Sequence, residues 1–363
     1  RVSCRNLKNA SASAQNKRKQ NRSKLVVEAF QTPLDAPTIK AKAKELGADL
    51  VGIADGRVMD AHPPDPLDPR TPSDITQLDS DRVIVLAKRY TSGTTRISRW
   101  DERHKYYNDE ITLTLLEEAS LELVFWLENH GWPAIIVPPT HTDPWRYLND
   151  PEQHLTTLLS LNHAAVEAGL GTLGLNLQLL TPEYGPRVML TAVLCSVECE
   201  TDERMTDALC RGPECGRCLS ACPGDVVGHW SRDWSACDRY RSPHGFAQLA
   251  DHLGNIFNAE DVEEKLRLVR SEESFNLWQS ILRGSGVITG CRRCQDVCPV
   301  GEDYARVLED ALAEIPEDTP DKAERLKAMA AAELRGDMPE EHGAQERWIG
   351  RLLHLSLGGR DNR

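Results

Sequence analysis

The chain has 363 residues, 11 of them cysteine, and a formal net charge of -13. That length allows one large domain or two unequal ones, and the acidic balance argues against a nucleic-acid groove as the main business. No apolar run of about 18 residues is present, so no membrane span is predicted.

The first 24 residues are basic, rich in Ser and Asn and poor in apolar residues, and are expected to be disordered. No apolar segment follows the basic cluster, so a secretory signal is not indicated. "TIKAKAKELGADLVGIAD" then reads as an amphipathic helix, a Gly turn and a short strand. Residues 56–80 hold many Pro and Asp and read as a loop. "RVIVLAKRY" is a buried strand, "DEITLTLLEEASLELVFWLENHG" a long helix closed by Gly131, and "PAIIVPP" the next strand. Strands and helices alternate, so the first two-thirds of the chain look α/β. From Cys210 to Val300 turns and cysteines dominate, with a helical insert around 245–285. The tail after 303 is acidic and helical, and its last piece, "QERWIGRLLHLSL", is expected to dock on the body.

Most cysteines fall between Cys195 and Cys298. An odd number in a chain this long is no disulfide framework, and metal ligation in a reducing, cytoplasmic compartment fits better. "CRRCQDVCPV" supplies Cys291, Cys294 and Cys298, the last followed by Pro. It is one ligand short of the ferredoxin run C-x2-C-x2-C-x3-C-P. "CRGPECGRCLSACPGD" supplies Cys210, Cys215, Cys218 and Cys222, with Cys210 five positions before Cys215 where three is usual. In two-cluster ferredoxins the last cysteine of each run ligates the other cluster. One [4Fe–4S] cluster is therefore assigned Cys210, Cys215, Cys218 and Cys298. The other is assigned Cys222, Cys291 and Cys294, with Cys237 of "WSACDRYR" as its fourth ligand. Cys4 zinc sites share the C-x2-C spacing, but the paired C-x3-C-P endings favour iron–sulfur. Cys195 and Cys199 are left as a strand-end pair, either of which could replace Cys210 if the expanded loop fell short.

Before the cysteines stands "AAVEAGLGTLGLNLQLLTPEYGPRVMLTAVL", read as a helix ending at Gly169, a Gly-rich turn, a strand, a tight turn and a second strand. Gly169, Gly171 and Gly174 would let the backbone approach something flat or bulky. A dinucleotide fingerprint needs a strand before such glycines and a helix after them. Here the order is reversed, so a Rossmann site is disfavoured.

"AGLGTLGLN", "TPEYGPRV" and "CRRCQDVCP" together resemble the corrinoid iron–sulfur reductases, which include the reductive dehalogenases and the epoxyqueuosine reductases, over about residues 105 to 300. The resemblance implies an α+β chain: a nitroreductase-like α/β domain holding a base-off cobalamin over 34–205 and a two-cluster ferredoxin-like domain over 206–302. A basic segment, 1–33, precedes these and an acidic helical tail, 303–363, follows them. It also implies an external electron donor such as a ferredoxin or flavodoxin. The epoxyqueuosine branch carries a "VDTGP" motif whose Asp donates a proton; at that spacing this chain has Leu155. The form "TPEYGPRV" leans toward the dehalogenases, with a small organohalide as substrate. That branch implies Arg187 working beside a phenol acid, either Tyr106 or Tyr107, and an Asn near the cofactor, for which Asn149 of the "ND" pair stands. His154, His141, Asp143 and Asp150 are the alternative donors. The cobalt-ligand motif D-x-H-x-x-G is lacking, since "DAHPPD" has Asp65 where Gly is required, and His62 reads as a loop residue.

Overall fold

The computed structural model describes residues 31–97, 102–137, 157–241, 244–283, 291–337 and 342–350. The expectation of disorder over 1–24 and the assignments to Asn149, Asp150, His154, His141 and Asp143 lie outside these residues.

A four-stranded sheet forms the centre, built from β1 (Leu50–Asp55), β2 (Arg82–Arg89), β3 (Ala134–Val137) and β6 (Val188–Cys195) in the order β1-β2-β6-β3. Every pairing is antiparallel. Alternation of strands and helices suggests parallel neighbours, but the late strand β6 enters between β2 and β3. Those two run parallel to each other without touching.

Both faces of the sheet are covered, which is why β2 and β6 read as continuous apolar runs. On β2, Val83, Val85 and Ala87 enter one core and Ile84 and Leu86 the other. On β6, Val188, Leu190, Ala192 and Leu194 alternate in the same way with Met189, Val193 and Cys195. One face is packed by the N-terminal helix Ala36–Glu45 and the long helix Glu102–Asn129. The first is capped by the Asp35 carboxylate, which accepts from the Thr38 amide at 2.9 Å, and stops before Gly47 at φ 111°. From the second, Leu116, Leu123 and Leu127 are fully buried, each contributing about 1.5–3 kcal/mol of transfer free energy.

The opposite face carries the helix Leu161–Glu167 and a hairpin of β4 (Thr172–Leu173) and β5 (Leu179–Leu180). Trp230 from the cysteine-rich region and Trp348 and Ile349 from the C-terminal piece join this core. The last piece is thus docked as far as Gly350, the limit of the described residues. The insert between the cysteine runs is three helices, Phe246–Asn258, Val262–Val269 and Glu272–Arg283. Residues 56–80 hold two short helical turns, Gly56–Ala61 and Pro72–Ile75, within an otherwise irregular stretch. Among the described residues no helix is long and apolar enough to cross a membrane.

The tail closes over the first cysteine run. Lys322, on the helix Pro320–Arg335, is buried and donates to the carbonyls of Ser220 (3.0 Å), Cys222 (2.8 Å) and Glu317 (2.9 Å). Leu326 sits on Gly216, where a Cβ would come within 2.4 Å of it.

Candidate metal centre

The extra length between Cys210 and Cys215 is taken up by a 3-10 turn, Gly212–Glu214, entered through Gly212 at φ 65°. Gly216, at φ 55°, then starts the short helix Arg217–Ser220 that carries Cys218. The expanded loop therefore turns back on itself and leaves Cys210 beside Cys215 and Cys218.

The cysteines gather in two groups. Cys218 lies in the electrostatic field of Cys210, of Cys294 from the other group, and then of Cys298 and Cys215. Cys298 in turn senses Cys210 and Cys215. Cys291 and Cys294 sense Cys237 and Cys222. Cysteines of the two runs thus lie near one another, Cys298 by Cys210 and Cys215, and Cys291 and Cys294 by Cys222 and Cys237. Burial pushes the thiols of Cys291 and Cys298 up to about 12 and raises those of Cys218 and Cys294. Thiolates at these positions need a cationic partner to offset the lost hydration.

Backbone donors are aimed at the sulfurs. The Gly212 amide donates to Cys210 Sγ at 3.3 Å and the Val226 amide to Cys222 Sγ at 3.4 Å. All ten cysteines among the described residues are free. Two desolvated thiols in each group, Cys218 and Cys298 in one and Cys291 and Cys294 in the other, with N–H donors on the sulfurs of Cys210 and Cys222, fit iron–sulfur ligation. Among the described residues no three His, Cys, Asp or Glu side chains close on one point that a single ion could occupy. A cubane binds each thiolate through a different iron, so its ligands need not meet. Cys195 is buried at the end of β6 and its thiol is pushed up to about 12 by burial, with Cys199 packed nearby.

Arg187 is corrected by the structure. It is 1% exposed and does not pair with Glu183 at the surface. Its Nε and Nη2 donate to Asp303 at 2.8 and 2.6 Å, and its remaining donors go to the carbonyls of Gln295 (3.2 Å), Cys298 (2.8 Å) and Val300 (2.7 Å). Every donor of the fork is engaged in holding the loop around Cys298, so none is left for a substrate or a Tyr acid. The phenol it does approach is Tyr304, 5.8 Å from ring centre to guanidinium.

At each of the three glycines a Cβ would meet the protein's own atoms. A Cβ on Gly169 would lie 2.5 Å from the Glu203 carbonyl oxygen, and one on Gly171 1.8 Å from that of Leu180. At Gly174 the nearest neighbours are Asn176 and Leu180 at 3.2 Å. Their smallness serves close backbone packing in the hairpin. That hairpin backs onto the second cysteine run: Asn176 hydrogen-bonds Cys294, and Gln178 accepts from Gln295 at 3.2 Å.

Tyr106 and Tyr107 lie inside the long helix, which begins at Glu102, and not before it. Tyr107 is 58% exposed, and the side chain of Tyr106 lies outside the described residues. The opposite face of these turns is the occupied one. Lys105 donates to Asp296 at 2.7 Å, and Asp109 accepts from Arg292, which also contacts Asp296 at 3.2 Å and stacks 4.1 Å over Tyr90. Sequence reasoning missed this buried network and Asp303. The only local signal was the pair of arginines inside "CRRC". A Cβ at each of these glycines meets protein, so the glycines themselves do not mark a cofactor face, and no step below is routed through a corrinoid.

No family profile matches the chain. It is 29% identical over 154 residues to the epoxyqueuosine reductase of Listeria monocytogenes serovar 1/2a, covering 42% of this chain and 32% of that protein. It is 29% identical over 216 residues to the epoxyqueuosine reductase of Gloeobacter violaceus, covering 52% and 60%. The chain thus matches less than two thirds of the length of these relatives. Among solved structures, a reductive dehalogenase described for B12-dependent dehalogenation aligns with TM-score 0.46 at 16% identity, covering 86% of this chain and 37% of its own. An epoxyqueuosine reductase with a tRNA-Tyr stem loop aligns with TM-score 0.39 at 17% identity, covering 82% and 81%. At these scores the structural likeness carries no argument. The sequence relatives are all epoxyqueuosine reductases, so the wider resemblance holds and the leaning toward dehalogenases gains nothing from them.

Proposed function

We propose that this chain is a two-cluster iron–sulfur oxidoreductase that delivers single electrons for a reduction of the epoxyqueuosine-reductase kind. The observation that carries the reading is the nearness of cysteines from the two runs, Cys298 to Cys210, Cys215 and Cys218, and Cys291 and Cys294 to Cys222 and Cys237. When bound, the clusters supply one-electron transfer at low potential. The protein's own part is to bury them, to aim N–H donors at the cysteine sulfurs and to fix the two runs against the sheet. Both groups border the α/β body: Cys210 and Cys218 pack against its core, and Cys294 lies by Asn176 of the hairpin. Opening an epoxide to an alkene takes two electrons and two protons and releases water, so two electrons must pass through the clusters, one at a time, per turnover.

The dehalogenase reading rested on the missing "VDTGP" motif and on the "TPEYGPRV" form with Arg187 as the partner of a phenol acid, and that guanidinium is fully engaged elsewhere. The position of the "VDTGP" aspartate, Leu155 here, lies outside the described residues, so this reading assigns no proton donor there. The test is turnover by the anaerobically reconstituted chain with dithionite, offered an epoxyqueuosine-containing tRNA stem loop and, separately, a panel of haloaromatics. Queuosine formation is expected. Halide release with no action on the tRNA would overturn the assignment.

A further inference from the structure

The two quartets differ in the cations beside them. "VVGHWSRDW" folds into a tight hairpin in which Val227 and Arg232 bridge and the Gly228 amide donates to the Ser231 carbonyl at 3.0 Å. Trp230 takes φ 50° there, is buried, and donates its indole N–H to Glu333 at 2.7 Å. This anchor turns Arg232 toward the second quartet. Its Nη2 lies 2.7 Å from Cys237 Sγ, and its guanidinium stacks 4.5 Å over the Trp234 ring. Cys294 and Cys222 are the other thiols in its field. Its Nε and Nη1 are buried without a hydrogen-bond partner among the protein atoms.

Beside the first quartet Arg187 is paired with Asp303, and Arg217 gives its donors to the Val297 and Leu312 carbonyls and the Tyr304 hydroxyl, none of them to a sulfur. On the second quartet's other side, Arg292 is paired with Asp109 and Asp296. Among the described residues Arg232 is paired with no carboxylate.

Resting on the two-cluster reading above, we propose that Arg232 donates from Nε and Nη1 to sulfur of the cluster held by Cys222, Cys237, Cys291 and Cys294, and sets its reduction potential above that of its neighbour. The step it favours is simple. One electron enters the cluster, taking the core from 2+ to 1+ and the core with its four thiolates from −2 to −3. No bond forms or breaks. A buried, unneutralised cation in contact stabilises the −3 state more than the −2 state, and hydrogen bonds to sulfur act in the same direction. Electrons therefore collect on the cluster held by Cys222, Cys237, Cys291 and Cys294. Arg232 is a positioning and tuning residue with no contact to substrate.

The test uses the full chain, reconstituted anaerobically, as wild type, Arg232→Met and Arg232→Lys. Both midpoint potentials are read by electron paramagnetic resonance during a dithionite titration with mediators. Arg232→Met should keep its iron and lower one midpoint, so that the reduced fraction of that cluster falls about tenfold at fixed poise, about 59 mV for a one-electron couple. Arg232→Lys should move the same midpoint less, and the other should stay in both variants. Two unmoved midpoints in an iron-replete Arg232→Met would overturn the proposal. If that variant sheds its cluster, Arg232→Gln and Arg232→Lys decide: a lower midpoint in the Gln form supports the assignment, and wild-type midpoints in both overturn it. Failure of the two-cluster reading looks different, because wild type itself would then hold too little iron.

Discussion

Arg187, at the threshold of β6, and Asp303, five residues past the last cysteine, are joined by two hydrogen bonds across 116 residues of sequence. The same guanidinium holds the carbonyls of Cys298 and Val300. The pair therefore sets where Cys298 stands relative to the sheet. Removing one partner of a buried ion pair costs about 3–5 kcal/mol, because the other charge is left desolvated. Arg187→Met should lower unfolding stability by about that amount and release iron from the quartet that includes Cys298. Unchanged urea unfolding and iron content would show that the pair does not hold the loop.

The turn of "TPEYGPRV" makes the second contact with that loop. Glu302 and Asp303 donate their amides to the carbonyls of Pro182 and Glu183 at 3.0 and 3.1 Å. Gly185 is at φ 54°, and a Cβ there would lie 2.0 Å from the Val300 carbonyl oxygen. Gly185→Ala should destabilise well beyond the roughly 1–2 kcal/mol of left-handed backbone strain alone. Gly336, at φ 82° with open space around it, is the control: its Ala variant should cost only that strain. Equal urea midpoints for the two variants would refute the close approach.

Cys237→Ala should leave about four irons of eight, since Cys222, Cys291 and Cys294 then lack their fourth partner. Cys195→Ala should leave the iron content alone, because Cys195 lies in the core between the sheet and the long helix. Full iron in the first variant, or loss in the second, would reassign the ligands.

His163 gives a pH dependence. Its ring is buried between Ser160 Oγ (2.7 Å) and the Gly343 carbonyl (2.8 Å), and burial lowers its pKa to about 4. The folded state keeps it neutral where the unfolded chain takes up a proton. Stability is therefore fully present above pH 6.5 and falls as the pH drops toward 4, by about 3 kcal/mol at 1.36 kcal/mol per pKa unit. His163→Gln should unfold in urea with a shallower loss across that window. Identical slopes for variant and wild type would contradict this.

What was legible in the sequence had a local cause. β2 and β6 show as apolar runs because both faces of the sheet are covered. The cysteines show because ligand spacing within each run is fixed by a single turn. Arg187 was misread because its partner is Asp303, and nothing near residue 187 points there. Gly169, Gly171 and Gly174 were read as room for a cofactor, yet the atoms that require them small belong to Glu203 and Leu180, which only the folded hairpin brings close. Arg232 carried no signal at all. Its meaning lies in donors left without partners, a property of packing and not of spacing.

The central claim is that eight cysteines hold two [4Fe–4S] clusters with exchanged fourth ligands. The most direct measurement is metal and acid-labile sulfide analysis of the anaerobically reconstituted full chain, combined with electron paramagnetic resonance of the dithionite-reduced protein. The account predicts about eight irons and eight sulfides per chain and a spectrum broadened by two adjacent reduced clusters, as expected of the two-cluster ferredoxin arrangement. Zinc in place of iron, or four irons with a single uncoupled signal, would contradict it.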